Sequence, residues 1–132
     1  MLIYSPLYAA ALVALVLFLA YRVVGFRRGE GIALGDDTGS KAMKSAVRAH
    51  ANAVENIPLA LLLLALLELN HLNPWLLNMF GLILLGARIA HAWGLSHRNG
   101  PSKGRFYGTA MTWLVMAAMA LMNVVVVGIK LT

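Results

Sequence analysis

The sequence contains 132 residues, of which 61% are hydrophobic and 12% are charged, and its mean hydropathy is +0.76. Soluble domains carry about twice this fraction of charged residues, so the composition excludes an ordinary soluble globule and indicates an integral membrane protein. The chain has no cysteine, which excludes disulfide bonds and thiolate metal ligands, and no spacing typical of a metal site occurs. The net charge is +6, and the basic residues that cause it belong to a lipid-soluble chain. They therefore indicate how the chain is oriented in the membrane, and they do not indicate a nucleic-acid partner.

Two apolar stretches in the first half of the chain predict transmembrane helices. Residues 1–21 carry no charge, and the first helix is predicted over residues 4–27. The second helix is predicted over residues 41–69, with Ser40 as its N-cap and several charged residues in its first half. Each stretch is close to the roughly 20 residues that cross a ~30 Å hydrocarbon core.

The second half of the chain predicts two further helices. The pair Asn73–Pro74 fits an N-cap followed by proline at the first helical position, and it begins a third helix over residues 74–96. Residues 97–104 form a turn-rich loop, after which a fourth helix is predicted over residues 105–130. The predicted fold class is therefore all-α and integral to the membrane: a four-helix transmembrane bundle that forms one domain over residues 1–132.

The basic residues are distributed unevenly between the two ends of the predicted helices. Ten of the eleven Lys and Arg residues lie around the first and third loops, and only Lys130 lies at the opposite end. Cytoplasmic loops of membrane proteins carry an excess of Lys and Arg. The sequence therefore predicts that the first and third loops are cytoplasmic and that both termini lie on the other side.

A polar stripe interrupts the second helix where the membrane should favour apolar residues. Arg48, Asn52 and Glu55 are spaced i, i+4 and i+7, so they share one face, whereas His50 points elsewhere. Pro58 follows one turn after Glu55 and frees helical carbonyl groups for a ligand or a neighbouring helix. Ionisable residues within a span are costly, which makes this stripe a candidate functional site.

Further polar residues lie at a similar depth on the third and fourth helices. Arg88 and His91 are spaced i and i+3 on one face of the third helix. Arg105, followed closely by Tyr107, begins the fourth helix. From these residues alone, pairing between helices, for example of Arg88 with Glu55, is as good an interpretation as a ligand site.

Three segments carry a resemblance to a known family. RAHANAVENIP, residues 48–58, resembles the signature of the MAPEG superfamily, the membrane-associated proteins of eicosanoid and glutathione metabolism, and most resembles its small bacterial members. RIAHAWG, residues 88–94, and Gly104-Arg105 resemble the family's third-helix segment and fourth-helix start. The resemblance covers nearly the whole chain. It implies a homotrimer in the bacterial inner membrane, with glutathione bound between neighbouring subunits near the cytoplasmic face. In that membrane, the distribution of basic residues predicts periplasmic termini.

The family's functional residues match this sequence at individual positions. The resemblance implies that Arg105 stabilises the glutathione thiolate and is the catalytic residue. His50 is expected to reach glutathione from the neighbouring subunit, and one of the two arginines at the end of the first helix is expected to contribute. The complete set of expected glutathione contacts is Arg27, Arg28, Arg48, His50, Asn52, Glu55, Arg88, His91 and Tyr107.

The implied activity is that of a glutathione transferase, with glutathione as co-substrate and a lipophilic electrophile or lipid hydroperoxide arriving from membrane lipid. Arginines suit the two carboxylates of glutathione, and Glu55 suits its ammonium. Leu95 stands where the eicosanoid-synthesising members carry a tyrosine, and Asn56 stands where one relative carries another, which disfavours that specialised chemistry. Two alternatives stay open: a non-catalytic scaffold that binds lipid or glutathione, and a small proton-coupled exporter. The exporter is disfavoured because Arg48, on the same helix face, opposes protonation of Glu55.

Overall fold

The computed structural model describes residues 1–35, 37–97 and 102–131, with residues 95–97 described by their backbone alone. Within these ranges the secondary structure is helical, and all four helices are long and apolar enough to cross a membrane. The helices are α1 (Tyr4–Glu30), α2 (Lys41–Leu69), α3 (Pro74–His97) and α4 (Lys103–Leu131). This confirms the predicted all-α membrane fold, and the helix ends differ from the predicted ones by at most three residues. Of the predicted loop at 97–104, residues 98–101 lie outside the described residues, whereas residues 97, 103 and 104 are helical and belong to α3 and α4.

The helix ends carry the capping groups that their sequence indicated. The Ser40 hydroxyl accepts a hydrogen bond from the backbone N–H of Met43 at 3.1 Å, which confirms Ser40 as the N-cap of α2. The Asn73 side-chain oxygen accepts from the backbone N–H of Trp75 at 2.9 Å at the start of α3. Gly31 ends α1 with a φ of 67°, a left-handed conformation that glycine adopts without strain.

The four helices are not equivalent in their packing. α2 and α3 pack against each other, and each contacts both α1 and α4. Across the described ranges, α1 and α4 do not contact one another, so they lie on opposite sides of the α2/α3 pair. Large apolar side chains on α1 and α4 are exposed in one chain and suit a lipid or subunit environment, among them Leu17, Phe18, Leu114 and Leu121.

The core of the bundle follows one stripe of α2. Its buried apolar side chains recur at intervals of three or four residues, and four of them are alanines, which let neighbouring helices approach closely. They are Met43, Ala46, Ala49, Ala53, Ile57, Ala60, Leu64 and Leu67. Pro58 is exposed on the other side of α2, and the helix continues through it without a break.

Three glycines bring the backbones of α3 and α4 together, and we call Gly94, Gly104 and Gly108 the glycine seam. A Cβ atom at Gly108 would lie 2.6 Å from the backbone nitrogen of His91, and one at Gly104 would lie 2.9 Å from the Ala90 carbonyl oxygen. A Cβ at Gly94 would collide with the backbone where α4 begins. The glycine seam therefore fixes the start of α4 against the part of α3 that carries His91.

The bundle has two ends, which we name for use below. At the capped end, α1 begins and α2 ends; at the site end, α1 ends and α2 begins. At the capped end, the Glu68 carboxylate in the last turn of α2 accepts hydrogen bonds from the backbone N–H groups of Tyr4 (2.8 Å) and Ser5 (2.7 Å), from that of Ile3, and from the Ser5 hydroxyl (2.6 Å). Glu68 thus caps α1 from another helix, which the sequence did not predict.

Candidate functional site

The polar stripe of α2 presents two charged side chains to the surroundings of the subunit. Arg48 and Glu55 are exposed, and Asn52 between them is half-buried. Because α2 is regular through this segment, the three residues share one face, as predicted. Within the described part of the chain, neither Arg48 nor Glu55 forms a hydrogen bond or an ion pair. The two charges lie about 10 Å apart along the helix axis, which is too far for direct pairing. His50 is half-buried on nearly the opposite face of α2.

Asn52 connects this stripe to α3. The Arg88 guanidinium donates a hydrogen bond from Nη1 to Asn52 Oδ1 at 2.8 Å. Arg88 is only 1% exposed, and its Nε and Nη2 atoms are buried without a hydrogen-bond partner among the described residues. The pairing of Arg88 with Glu55 that the sequence left open is therefore replaced by a bond to the neutral amide one turn earlier.

His91 connects α3 to α4. Its Nδ1 lies 2.9 Å from Thr109 Oγ1 and 3.3 Å from the Arg105 carbonyl oxygen, to which the Thr109 hydroxyl donates at 3.0 Å. One arrangement of protons satisfies these groups: the Thr109 hydroxyl donates to the carbonyl, and His91 Nδ1–H donates to Thr109. His91 is 3% exposed, and its Nε2 atom is buried without a partner in the described ranges. His91 therefore holds the first turn of α4 in place.

Arg105 lies beside a groove along α4. The groove has a volume of about 530 Å³ and is lined by Ser102, Arg105, Phe106, Thr109, Ala110 and Trp113. Arg105 is exposed, and apolar side chains form most of the remaining wall. Trp113 Nε1 donates to Asn56 Oδ1 at 3.2 Å, and Asn56 is the residue after Glu55. The groove therefore extends from Arg105 towards the part of α2 that carries the polar stripe.

Tyr107 belongs to a different surface from Arg105. It lines a separate groove of about 350 Å³ between α3 and α4, together with Gly86, Gly108 and Met111 among other residues. The two grooves lie on different sides of α4, because residues 105, 109 and 113 form one stripe and residues 107 and 111 form another. The structure thus separates Tyr107 from Arg105, although the resemblance implied that both act on glutathione.

Arg27 and Arg28 lie at the end of α1 around a small groove of about 300 Å³. Arg27 Nη1 donates to the Ala33 carbonyl oxygen at 3.0 Å, which ties the side chain to the following loop, whereas Arg28 is exposed. Since α1 and α4 make no contact across the described residues, these arginines and Arg105 lie on opposite sides of one chain. The structure therefore does not bring Arg27 or Arg28 together with Arg105 within the described chain.

Comparison with known proteins identifies the family of this chain. A family model described as MAPEG family matches residues 5–125. The chain belongs to the MAPEG family. Inner membrane protein YecN of Escherichia coli strain K12 is 35% identical over 119 residues, which cover 90% of this chain and 88% of that protein. The protein of the same name from E. coli O6:H1 strain CFT073 matches to the same extent. Neither name states an activity.

In this MAPEG chain, sequence reasoning did not identify three residues that shape the site. Thr109 and Trp113 line the groove beside Arg105, and Asn56 binds the Trp113 indole while donating to the Asn52 carbonyl at 2.8 Å. Thr109 and Trp113 follow Arg105 at intervals of four residues, so the helical stripe was visible in the sequence. The contact of that stripe with α2 could not be seen in the sequence.

Proposed function

We propose that this MAPEG protein is a glutathione-dependent transferase of the bacterial inner membrane, with peroxidase activity on lipid hydroperoxides as a related reaction. Glutathione is its co-substrate, and a lipophilic electrophile from membrane lipid is its second substrate. The functional unit is a homotrimer in which glutathione lies between neighbouring subunits. The first and third loops face the cytoplasm, which is the compartment that supplies glutathione, and both termini face the periplasm.

The proposal depends mainly on one observation: Arg48 and Glu55 are exposed on a membrane-spanning helix and have no partner in the described chain. Charged groups within a span are costly unless they are paired. Structural pairing within the subunit, the alternative that the sequence left open, does not account for them. A ligand that carries both charges, or a neighbouring subunit together with that ligand, does account for them.

The charges of glutathione match this arrangement. Its two carboxylates suit the Arg48 guanidinium and the arginines at the end of α1, since a guanidinium binds a carboxylate through two parallel hydrogen bonds. Its ammonium suits the Glu55 carboxylate. Asn52 lies between the two charged residues and offers an amide donor. His50, on the other side of α2, is available to a ligand held by the adjacent subunit.

The chemistry requires ionisation of the thiol and access for an apolar partner. A guanidinium in a site of low dielectric constant stabilises a thiolate, and Arg105 lines the 530 Å³ groove. The partial positive charge of the α4 N-terminus adds to this field. The thiol proton is released to water, and the thiolate sulfur forms a bond to the electrophilic carbon as the leaving group departs. No protein nucleophile takes part, and the apolar wall formed by Phe106, Ala110 and Trp113 suits the electrophile.

Assembly into a trimer would unite the separated parts of the site. Arg27 and Arg28 on α1 and Arg105 on α4 lie on opposite sides of one chain, and the described chain does not bring them together. An interface that places α1 of one subunit near α4 of the next would do so. The exposed apolar faces of these two helices are compatible with such an interface.

A titration of the detergent-solubilised oligomer with glutathione tests the proposal. We expect saturable binding together with an increase in ultraviolet thiolate absorbance at a pH where free glutathione is mostly protonated. Addition of a generic aryl halide should then consume the thiolate and release halide. Binding without thiolate absorbance or turnover would favour the non-catalytic scaffold. The absence of binding would contradict both interpretations.

The exporter interpretation has less support. A proton-coupled exporter needs a carboxylate that alternates between its charged and neutral forms. Glu55, the carboxylate that the sequence offers for this role, is exposed and shares its face with the Arg48 cation. Glu68 is buried but accepts hydrogen bonds from three backbone N–H groups and one hydroxyl, all of which favour its charged form.

A further inference from the structure

We propose that Arg88 is a positioning residue that holds the Asn52 side chain in one orientation. In this way Arg88 determines that Asn52 presents a hydrogen-bond donor, and not an acceptor, to the ligand. This inference rests on the proposed function, since the ligand is taken to be glutathione. It changes the role of Arg88 from a ligand contact to a residue that acts through Asn52, and it makes that pair a determinant of ligand specificity.

The orientation of Asn52 follows from the chemistry of its partner. A guanidinium has only hydrogen-bond donors, so the atom that faces Arg88 Nη1 at 2.8 Å has to be the carbonyl oxygen of the amide. The other end of the amide, Nδ2, is therefore turned away from Arg88. Nδ2 has no partner in the described part of the chain and is not among its buried unpartnered atoms, so it is available as a donor.

Arg88 is well suited to hold this orientation permanently. It is 1% exposed, lies on the regular helix α3, and has no acidic partner among the described residues. Two of its guanidinium nitrogens already lack a hydrogen-bond partner in the described ranges, so rotation of the Asn52 amide would remove its remaining bond. The rotated amide would also bring Nδ2 hydrogens against the Arg88 cation. Buried unpaired donors and cations carry a high cost, which keeps the amide in place.

The fixed amide selects the chemistry of the ligand group beside it. Nδ2 is a hydrogen-bond donor, so it binds a carboxylate and disfavours an ammonium, which has no acceptor atom. Glu55 lies about one turn further along α2 and requires an ammonium. The only part of glutathione that offers a carboxylate next to an ammonium is the γ-glutamyl end. We therefore assign the γ-glutamyl carboxylate to Asn52 Nδ2 and the neighbouring ammonium to Glu55.

The test compares two ligands and two matched variants. The ligands are glutathione and 4-aminobutyryl-cysteinyl-glycine, which keeps the ammonium and the thiol but lacks the γ-glutamyl carboxylate. The variants are Arg88→Lys, which retains a cationic donor, and Arg88→Met, which has a similar length and no donor. The measured quantity is the preference, defined as the dissociation constant of the analogue divided by that of glutathione, for the solubilised oligomer.

The wild-type protein should prefer glutathione by roughly 10-fold or more, as expected for a hydrogen bond to a charged group. Arg88→Lys should retain most of this preference, and Arg88→Met should lower it several-fold, the remainder coming from the arginines that also suit a carboxylate. If Arg88 only supported the fold, Arg88→Met would weaken both ligands equally and leave the preference unchanged, which would overturn the assignment.

Asn52→Asp provides a second test that keeps Arg88 in place and does not depend on the folding of Arg88→Met. One carboxylate oxygen should pair with Arg88, and the other should replace the Nδ2 donor with a negative charge. The preference should then reverse in favour of the analogue. Retention of the wild-type preference by Asn52→Asp would overturn the assignment. Failure of the wild-type protein to bind glutathione would instead contradict the proposed function itself, and this assignment with it.

Discussion

At the capped end, the Glu68 carboxylate accepts hydrogen bonds from the backbone of Tyr4 and Ser5, and the Tyr8 hydroxyl donates to the Asn78 side chain at 3.0 Å. At the site end, Arg48 and Glu55 extend from α2 without a partner in the described chain. Both ends contain polar groups at the boundary of a membrane-spanning bundle. The comparison suggests that polar groups at the capped end serve stability, whereas those at the site end depend on something outside the chain.

The largest expected effect concerns Arg105. Arg105→Leu should abolish the thiolate absorbance of bound glutathione and lower the conjugation rate by roughly 100-fold or more, because removing one group that stabilises a developing anion has an effect of that size. Arg105→Lys should keep partial activity, since it retains the charge without the planar guanidinium. The measurements are thiolate absorbance and turnover of an aryl halide.

Lys103→Leu is the matched control for Arg105→Leu. Lys103 is also basic and exposed in the first turn of α4, but it does not line the groove beside Arg105 among the described residues. Its replacement should leave turnover nearly unchanged. If both variants retain the wild-type rate, Arg105 only anchors α4 at the membrane surface, and another group ionises the thiol.

The second prediction concerns ligand affinity. Glu55→Gln keeps the shape of the side chain but removes the charge that pairs with the glutathione ammonium. The loss should be about 1.5–3 kcal/mol, or roughly 10- to 150-fold in the dissociation constant measured by titration. The unfolding midpoint should stay the same, because Glu55 has no partner in the described chain. Normal affinity together with lower stability would show that Glu55 belongs with the structural polar groups, and the contrast between the two ends would disappear.

The third prediction is the opposite of the second: at the capped end, a substitution should change stability and leave affinity unchanged. Glu68→Gln replaces a carboxylate that accepts from several donors with an amide that can accept through only one atom. We expect the free energy of unfolding to fall by about 1.5–3 kcal/mol, with glutathione affinity unchanged. Ser5→Ala removes one of these donors and should cost about 1 kcal/mol. Chemical denaturation in detergent, followed by helical signal, measures both effects. A change in affinity with unchanged stability would contradict the structural role of Glu68.

The fourth prediction concerns the compartment that each end of the bundle faces. The cysteine substitutions that test it should leave stability and binding almost unchanged. The sequence has no cysteine, so a single one can act as a label. Thr38→Cys lies in the exposed first loop, and Trp75→Cys lies at the exposed start of α3 at the capped end. In intact cells, a membrane-impermeant thiol reagent should modify Trp75→Cys and not Thr38→Cys. The opposite labelling would place the site end on the wrong side for cellular glutathione.

Much of the fold was predictable because it depends on local properties of the sequence. The length of each apolar stretch gives the number of helices, and Ser40 and Pro74 give two of the helix starts. The common face of Arg48 and Glu55 follows from helical spacing alone. These features need no knowledge of how one helix is rotated against another.

The contacts between helices were not predictable in the same way. Whether Arg88 reaches Asn52 or Glu55 depends on the rotation of α3 about its axis relative to α2, which is set by the small side chains between them. The bond from Glu68 to Ser5 joins residues more than sixty positions apart, and the intervening sequence contains no signal for it. Charge complementarity suggested the wrong partner for Arg88, because the neutral amide lies on the side of α2 that faces α3.

The bond between Glu68 and the start of α1 has a consequence for biogenesis. During synthesis, the residues of α1 are joined well before residue 68 has been added. The first amide groups of α1 therefore lack their final acceptor until the last turn of α2 has crossed the bilayer. Only the complete α1–α2 hairpin contains all of these partners, so that hairpin is the smallest unit in which α1 reaches its final hydrogen-bonded state. Truncation of the nascent chain before residue 68 should leave α1 inserted in the membrane but without this fixed position.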